Sequence, residues 1–236
     1  SLPQLLNPTS GYILNTNNSC FDVSGNADNP KPQNYEPTYG FTYDKNNRSI
    51  MAHFLIAQHQ KLTYDDFKQV KYDRSFNDSI YDYGLENARV LFNLDASKYP
   101  DLADAIAVLK KWNHSSDVQN KEAALVTFAM YPLIDKITSR GDDNNNNSFT
   151  KEEYVKALRS AKRHMLRYFG SLTVPLGEVQ KHTREKIELP IGGMPEVLAA
   201  TITQPYKPCL TYHMVYWYET PVPRIQRFMP VVSHHP

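Results

Sequence analysis

The sequence predicts an α+β chain with a mostly helical middle and short strands at both ends. Three observations carry this. Apolar residues recur at helical spacing through residues 48–170. Residues 1–47 are broken by Pro3, Pro8, Pro30, Pro32 and Pro37. Beyond residue 170 proline returns, and β-prone residues gather in "LTYHMVYWY" (210–218) and "RIQRFMPVV" (224–232). No internal repeat interrupts this order, so 1–47, 48–170 and 171–236 read as three regions of one domain.

The N-terminal region is loop-rich. One short strand is expected at Gly11–Leu14, and 26–43 reads as a surface loop. The helical region opens with "RSIMAHFLIAQHQ" (48–60), where Ile50, Phe54, Leu55 and Ala57 form an apolar stripe. In "LTYDDFKQVKY" (62–72) Thr63 is the expected N-cap, with Asp66 three residues on as in a capping box. "SIYDYGLENARVLFNL" (79–94) offers Ile80, Leu85, Ala88, Val90, Leu91 and Leu94 on one face. "DLADAIAVLKKW" (101–112) aligns Leu102, Ala105, Ile106 and Leu109. Asp101 and Asp104 at its start and Lys110 and Lys111 at its end complement the helix dipole. "NKEAALVTFAMYPLIDKI" (120–137) continues the pattern, with a kink or break expected at Pro132. "TKEEYVKALRSAKRHMLRYFG" (150–170) closes it, with Gly170 as C-cap.

Composition excludes several classes. The chain has 236 residues, 41% of them hydrophobic, which suits a globular protein with a sizeable core. Lys and Arg total 26 against 25 Asp and Glu, so a net charge of +1 gives no dedicated nucleic-acid surface. No apolar run reaches the ~18 residues of a membrane span. The two cysteines, Cys20 and Cys209, define neither a disulfide framework nor a zinc site, and their pairing stays open. None of the eight histidines pairs with another at i+4 on a helix. The start, "SLPQLLNPTS", lacks the features of a signal peptide.

Two stretches can carry chemistry. In "GYILNTNNSCFDVSG" (11–25), Asn15, Asn17 and Asn18 follow a short apolar run. Such a cluster by itself reads as a turn, because Asn tolerates positive φ and bonds its own backbone. The other reading is a fixed amide donor for a developing oxyanion, worth about 2.7–4 kcal/mol in an acyl-transfer site. The second stretch is "DDNNNNSFTKEE" (142–153). Asp142, Asn144, Asn146 and Ser148 fall at positions 1, 3, 5 and 7 of an EF-hand spacing, Phe149 at 8 and Glu153 at 12. Asn147 stands where the sharp-turn glycine belongs, and only two ligands carry charge, so a solvated linker competes with a calcium loop.

Four segments in order carry a resemblance. "LPQLLNPTSGYILNTNNSCF" (2–21) resembles a segment of the penicillin acylase and acyl-homoserine-lactone acylase family of N-terminal nucleophile hydrolases. There a Gly-aromatic pair and an Asn-rich run lead into the active site. Arg48 stands where that family carries an arginine ahead of a helix start like "LTYDDF". "AVLKKWNHSSDVQNKEAAL" (107–125) is similar to a third segment, with Trp112 kept and Asn113 in the usual Asp place. "LGEVQKHTREKIELPIGG" (176–193) resembles a fourth, with Leu176 replacing Trp and Glu178 replacing Asp. After "GGMPEVLAA" the tail departs from the family pattern.

The resemblance implies a fragment of the αββα N-terminal nucleophile fold: the C-terminal part of a large chain, a single incomplete domain. It implies hydrolysis of an N-acyl amide, a β-lactam or an acyl-homoserine lactone, by acyl transfer through a serine at the large chain's N-terminus. Asn17 matches the oxyanion-hole asparagine, and Arg48 the arginine that supports it. Asp28, eleven residues after Asn17, matches an aspartate at the family's structural calcium, with Asp22 competing. No catalytic metal or organic cofactor is implied. The implied partners are the small chain and the N-terminal part of the large chain. The implied compartment is periplasmic or extracellular. Ser1 abuts the "LPQ" segment directly and is followed by Leu2, not Asn, so it is not expected to be the nucleophile, and this chain alone is expected to be inactive. The alternative from a different class is a non-catalytic helical binding module with a calcium loop at 142–153.

Overall fold

The computed structural model describes residues 2–43, 45–78, 87–140, 148–184, 187–200, 202–203 and 214–215. Seven α-helices are described: α1 (Asn47–Ile56), α2 (Tyr64–Lys71), α3 (Arg89–Phe92), α4 (Ala103–Lys111), α5 (Ala123–Arg140), α6 (Lys151–Phe169) and α7 (Leu176–Val179). β1 (Lys181–Arg184) pairs antiparallel with β2 (Ile187–Pro190), and β3 (Ile202–Thr203) pairs parallel with β4 (Met214–Val215). The α+β reading with a helical middle therefore stands.

The core is built by α3 to α7. Leu91, Leu102, Leu125, Leu158 and Leu176 are fully buried, each contributing about 1.5–3 kcal/mol of transfer free energy. The stripe Leu102, Ala105, Ile106 and Leu109 faces inward as its spacing requires. Phe128 on α5 meets His164 on α6 at 4.3 Å between rings, and Lys136 meets Glu153 at 3.3 Å. Residues advancing on one helix thus meet residues receding on the other, so the pair runs antiparallel. Trp112 caps α4, stacks on Phe92 and donates its indole N–H to the Ser115 carbonyl at 2.8 Å.

The helix boundaries follow their local chemistry. Thr63 and Asp66 form the expected reciprocal capping box, and Thr150 with Glu153 forms a second one that opens α6. Gly170 closes α6 at φ +68, a left-handed position that glycine adopts without a Cβ clash.

Three expectations need correction. No strand forms at Gly11–Leu14, so among the described residues the strands lie towards the C-terminal end. A Pro8–Gly11 turn at one side and Asn17 at φ +60 on the other leave that segment one ladder bond, Leu14 N to Val23 O at 2.8 Å. α1 does not bury its Ile50–Phe54 stripe. It buries Asn47, Ser49, Met51 and Ala52, while Phe54 is half exposed. The buried polar groups are satisfied by hydrogen bonds, which removes their desolvation penalty. α5 runs unbroken through Pro132, a proline facing solvent. Of the expected helix at 79–94, residues 79–86 lie outside the described residues, and α3 forms in the remainder. The 224–232 strand also lies outside them.

One circuit of backbone contacts places the site. Phe76 N bonds His114 O and Ser116 N bonds Arg74 O, both at 2.9 Å. Gly193 N bonds Ser116 O at 2.7 Å, and Gly177 N bonds Val118 O at 2.8 Å. A β-carbon at Gly192 would stand 2.7 Å from Val118 N and 2.8 Å from Ser116 O, so only glycine allows this approach. The chain then continues to Glu196, whose carbonyl accepts from Asn47 Nδ2 at 2.9 Å. Asn47 Nδ2 also donates to Ser75 O, and its Oδ1 accepts from Asn77 N. The start of α1 is thereby locked to both the 74–77 and 192–196 segments.

Candidate active site

The three asparagines of the opening loop divide by use. Asn15 Oδ1 accepts from Asn17 N at 3.0 Å, and Asn18 Oδ1 accepts from Thr16 N at 2.7 Å and Thr16 Oγ1 at 3.0 Å. These are turn-forming amides. Asn18 Nδ2 donates to Asp22 O at 2.6 Å. Asn17 differs. It holds φ +60, is exposed, and its side-chain amide has no hydrogen-bond partner among the described residues.

Both carbonyls flanking the Asn17 nitrogen and Cα are held by α1. Arg48 Nε donates to Thr16 O at 2.9 Å. Asn46 Nδ2 donates to Thr16 O and to Asn17 O, each at 3.1 Å. Asn46 is also the N-cap of α1, its Oδ1 accepting from Ser49 N at 2.8 Å. One side chain therefore starts the helix and grips the loop. Arg48 reaches onward with Nη1 to Glu196 Oε1 at 3.2 Å. Glu196 sits at φ +66, uncommon for a residue with a Cβ. That turn sends its carbonyl to Asn47 and its carboxylate to Arg48.

Below the loop lies a buried polar knot. Asp22 is almost fully buried, with Oδ1 2.9 Å from Lys45 Nζ and 3.6 Å from His53 Nε2. Its Oδ2 has no partner among the described residues. His53 Nδ1 lies 2.8 Å from Tyr12 Oη. Burial first, then the Asp22 and Asp28 charges, push the Tyr12 hydroxyl pKa above its ordinary range. Ser19 Oγ donates to Thr42 O at 2.6 Å. That bond ties the loop to an aromatic group in which Phe21 stacks on Tyr43 and meets Tyr35 and Phe41.

Of the candidate metal residues, Asp28 and Glu153 are described, each with hydrogen-bond partners. Asp28 Oδ1 accepts from Thr9 N and Thr9 Oγ1, and Oδ2 accepts from Ser10 N at 2.7 Å. These bonds, Thr9's hydroxyl foremost, hold its pKa down to about 2. Glu153 serves the α6 capping box and bonds Lys136. Phe149 is a core residue whose backbone is bracketed by Asn87. Asp142, Asn144 and Asn146 lie outside the described residues. Among the described residues no three His, Cys, Asp or Glu side chains converge as a metal set. Asp28 offers one carboxylate there, carrying three hydrogen bonds. Ser1 and Cys209 also lie outside the described residues, and Cys20 has no disulfide partner among the described residues. No described helix is long and apolar enough to cross a membrane.

The structure places Arg48 on the Thr16 carbonyl, next to Asn17. Asn46, Asn47, His53 and Glu196 escaped the sequence reading. Asn46 carries a readable signal, an N-cap residue immediately before a helix. Glu196 and His53 carry none, since their partners lie far off in the chain.

A fixed turn presenting one spare amide leaves an N–H free to donate to an acceptor outside the described residues. Residues 1–226 match the family model described as Penicillin amidase. No curated protein matches the chain. The match covers nearly the whole chain, which therefore belongs to the penicillin amidase family.

Proposed function

We propose that this chain supplies the oxyanion-binding part of an N-acyl amide hydrolase. Family membership supports an amide-hydrolysing class. The observation that carries the finer reading is Asn17: an exposed amide with no partner among the described residues, on a backbone held from both sides by Asn46 and Arg48.

In this reading a serine oxygen on another segment attacks the amide carbonyl, with its own α-amine as base. The carbonyl oxygen gains charge, and Asn17 Nδ2–H donates to it. The C–N bond breaks, the amine leaves with a proton, and water releases the acid. Arg48 acts through the Thr16 carbonyl and keeps the loop from relaxing as charge builds. The substrate is a small N-acyl amide, a β-lactam or an acyl-homoserine lactone. The remaining acylase segments complete the pocket, and the assembled enzyme works in the periplasm or outside the cell.

The test uses the assembled enzyme on a chromogenic N-acyl anilide. Asn17→Ala lowers kcat by about 10²–10³, with KM little changed. An unchanged kcat overturns the reading. Turnover by the chain alone that disappears in Ser1→Ala would instead place the nucleophile at Ser1.

A further inference from the structure

Tyr12 and Asp22 stand five residues to either side of Asn17. They are the two feet of the loop whose tip is Asn17. Both feet meet on one imidazole. Tyr12 Oη lies 2.8 Å from His53 Nδ1, and Asp22 O lies 3.2 Å from His53 Nε2. We propose that His53 is a positioning residue for Asn17, clamping the two feet of its loop together and onto α1.

The donor chemistry fits a single tautomer. A backbone carbonyl only accepts, so Nε2 carries the ring proton and donates to Asp22 O. In that tautomer Nδ1 accepts from the Tyr12 hydroxyl. Each contact uses a different edge of the ring, so the imidazole bridges the feet as no aliphatic side chain can. Asp22 Oδ1, 3.6 Å from Nε2, is held by Lys45 at 2.9 Å, which fixes the second foot from its other side.

The bridge reinforces an existing zipper. Leu14 N bonds Val23 O at 2.8 Å, and Ser24 Oγ bonds Tyr12 O at 2.7 Å. These bonds set the spacing of the feet but do not tie them to α1. His53 supplies that tie, one and a half turns along the helix from Arg48. The helix then holds the loop near its tip through Asn46 and Arg48 and at its base through His53. With the base free, the loop can tilt about the Asn46 and Arg48 contacts, and the Asn17 amide moves off the carbonyl oxygen.

This inference rests on Asn17 being the oxyanion donor, and the experiment separates the two claims. His53→Leu, Tyr12→Phe, Asn17→Ala and His53→Leu/Asn17→Ala are compared in the assembled enzyme on a chromogenic N-acyl anilide. His53→Leu lowers kcat about ten- to a hundredfold with KM within twofold, as for a misplaced catalytic group. Tyr12→Phe, which removes one hydroxyl and leaves the fold intact, lowers kcat about two- to tenfold. The double variant is no slower than Asn17→Ala alone, because a misplaced amide costs nothing once the amide is gone. Equal loss from His53→Leu with and without Asn17, or a rise in KM alone, overturns the positioning role. So does unchanged kcat in Tyr12→Phe. If Asn17→Ala itself leaves kcat unchanged, the parent reading fails and this one fails with it.

Discussion

Arg48 and Glu196 stand 148 residues apart in sequence and meet at 3.2 Å. The contact joins the first helix to the segment beyond β2, and its guanidinium continues to the Thr16 carbonyl beside Asn17. A carboxylate on one side and a carbonyl on the other use two edges of the planar guanidinium fork, a geometry that lysine does not reproduce.

Removing either partner should therefore act on the same loop. Arg48→Ala and Glu196→Ala each lower kcat of the assembled enzyme. The double variant falls short of the product of the two by a coupling of about 1 kcal/mol, as for contacting residues in one network. Fully additive losses in a double-mutant cycle would show that the pair does not act as a unit. Arg48→Lys keeps the charge but loses most of the effect.

Asn46 separates helix capping from loop gripping. Asn46→Ser keeps an N-cap acceptor for Ser49 N but has no amide to reach Thr16 O and Asn17 O. Its melting temperature should stay near that of the parent while kcat falls. Asn46→Ala loses both roles and costs about 1 kcal/mol of stability besides. Thermal melts and kcat measured on the same preparations distinguish these outcomes. An unchanged kcat in Asn46→Ser would mean that the side chain only caps the helix.

How far the sequence could be read follows from the range of each contact. The capping box at Thr63 and Asp66 spans three residues, and Gly170 closes a helix from one position beyond it. Both are local and were legible. The stripe of α4 was legible because period 3.6 maps directly onto burial. α1 misled because half of its buried residues, Asn47 and Ser49, are polar, and periodicity counts only apolar residues. Asn47 is buried at no cost only because Ser75, Asn77 and Glu196 arrive from elsewhere. The division of labour among Asn15, Asn17 and Asn18 was equally hidden. It depends on which amide turns inward, and composition assigns the three the same chemistry. Pro132 looked like a break because a missing N–H costs one helical bond, yet the flanking residues on α5 from Ala123 to Leu133 bury enough apolar surface to carry the helix through.

Asp28 gives an acid-range prediction. Its pKa is held at about 2, below the ordinary 3.8, by the Thr9 hydroxyl first and then by Ser10 and the Thr9 backbone. A depressed carboxylate stabilises the fold above its unfolded value. That contribution is fully present above pH 3.8 and is lost as pH falls towards 2. Carboxyl NMR should follow Asp28 titrating near 2, and Thr9→Val should move the midpoint upwards. A midpoint near 3.8 in the parent would mean that the Thr9 and Ser10 bonds are not maintained in solution.

His164 gives a dependence of the same sign in a neighbouring window. Its ring packs against Phe128, Tyr168 and Phe169, and burial lowers its pKa from 6.5 to about 4. The unfolded chain protonates this histidine near 6.5, the folded chain only near 4. Between those values the unfolded state binds more protons, so stability falls as pH drops from 6.5 to 4, at up to about 1.4 kcal/mol per pH unit. Above 6.5 the group contributes no slope. Below 4 both states are charged and the full loss has been reached. His164→Phe keeps an aromatic ring between α5 and α6 and removes the titration. Denaturant midpoints measured from pH 4 to 8 should slope less below 6.5 in His164→Phe than in the parent. Equal slopes would show that the imidazole is already charged, or hydrated, in the folded state.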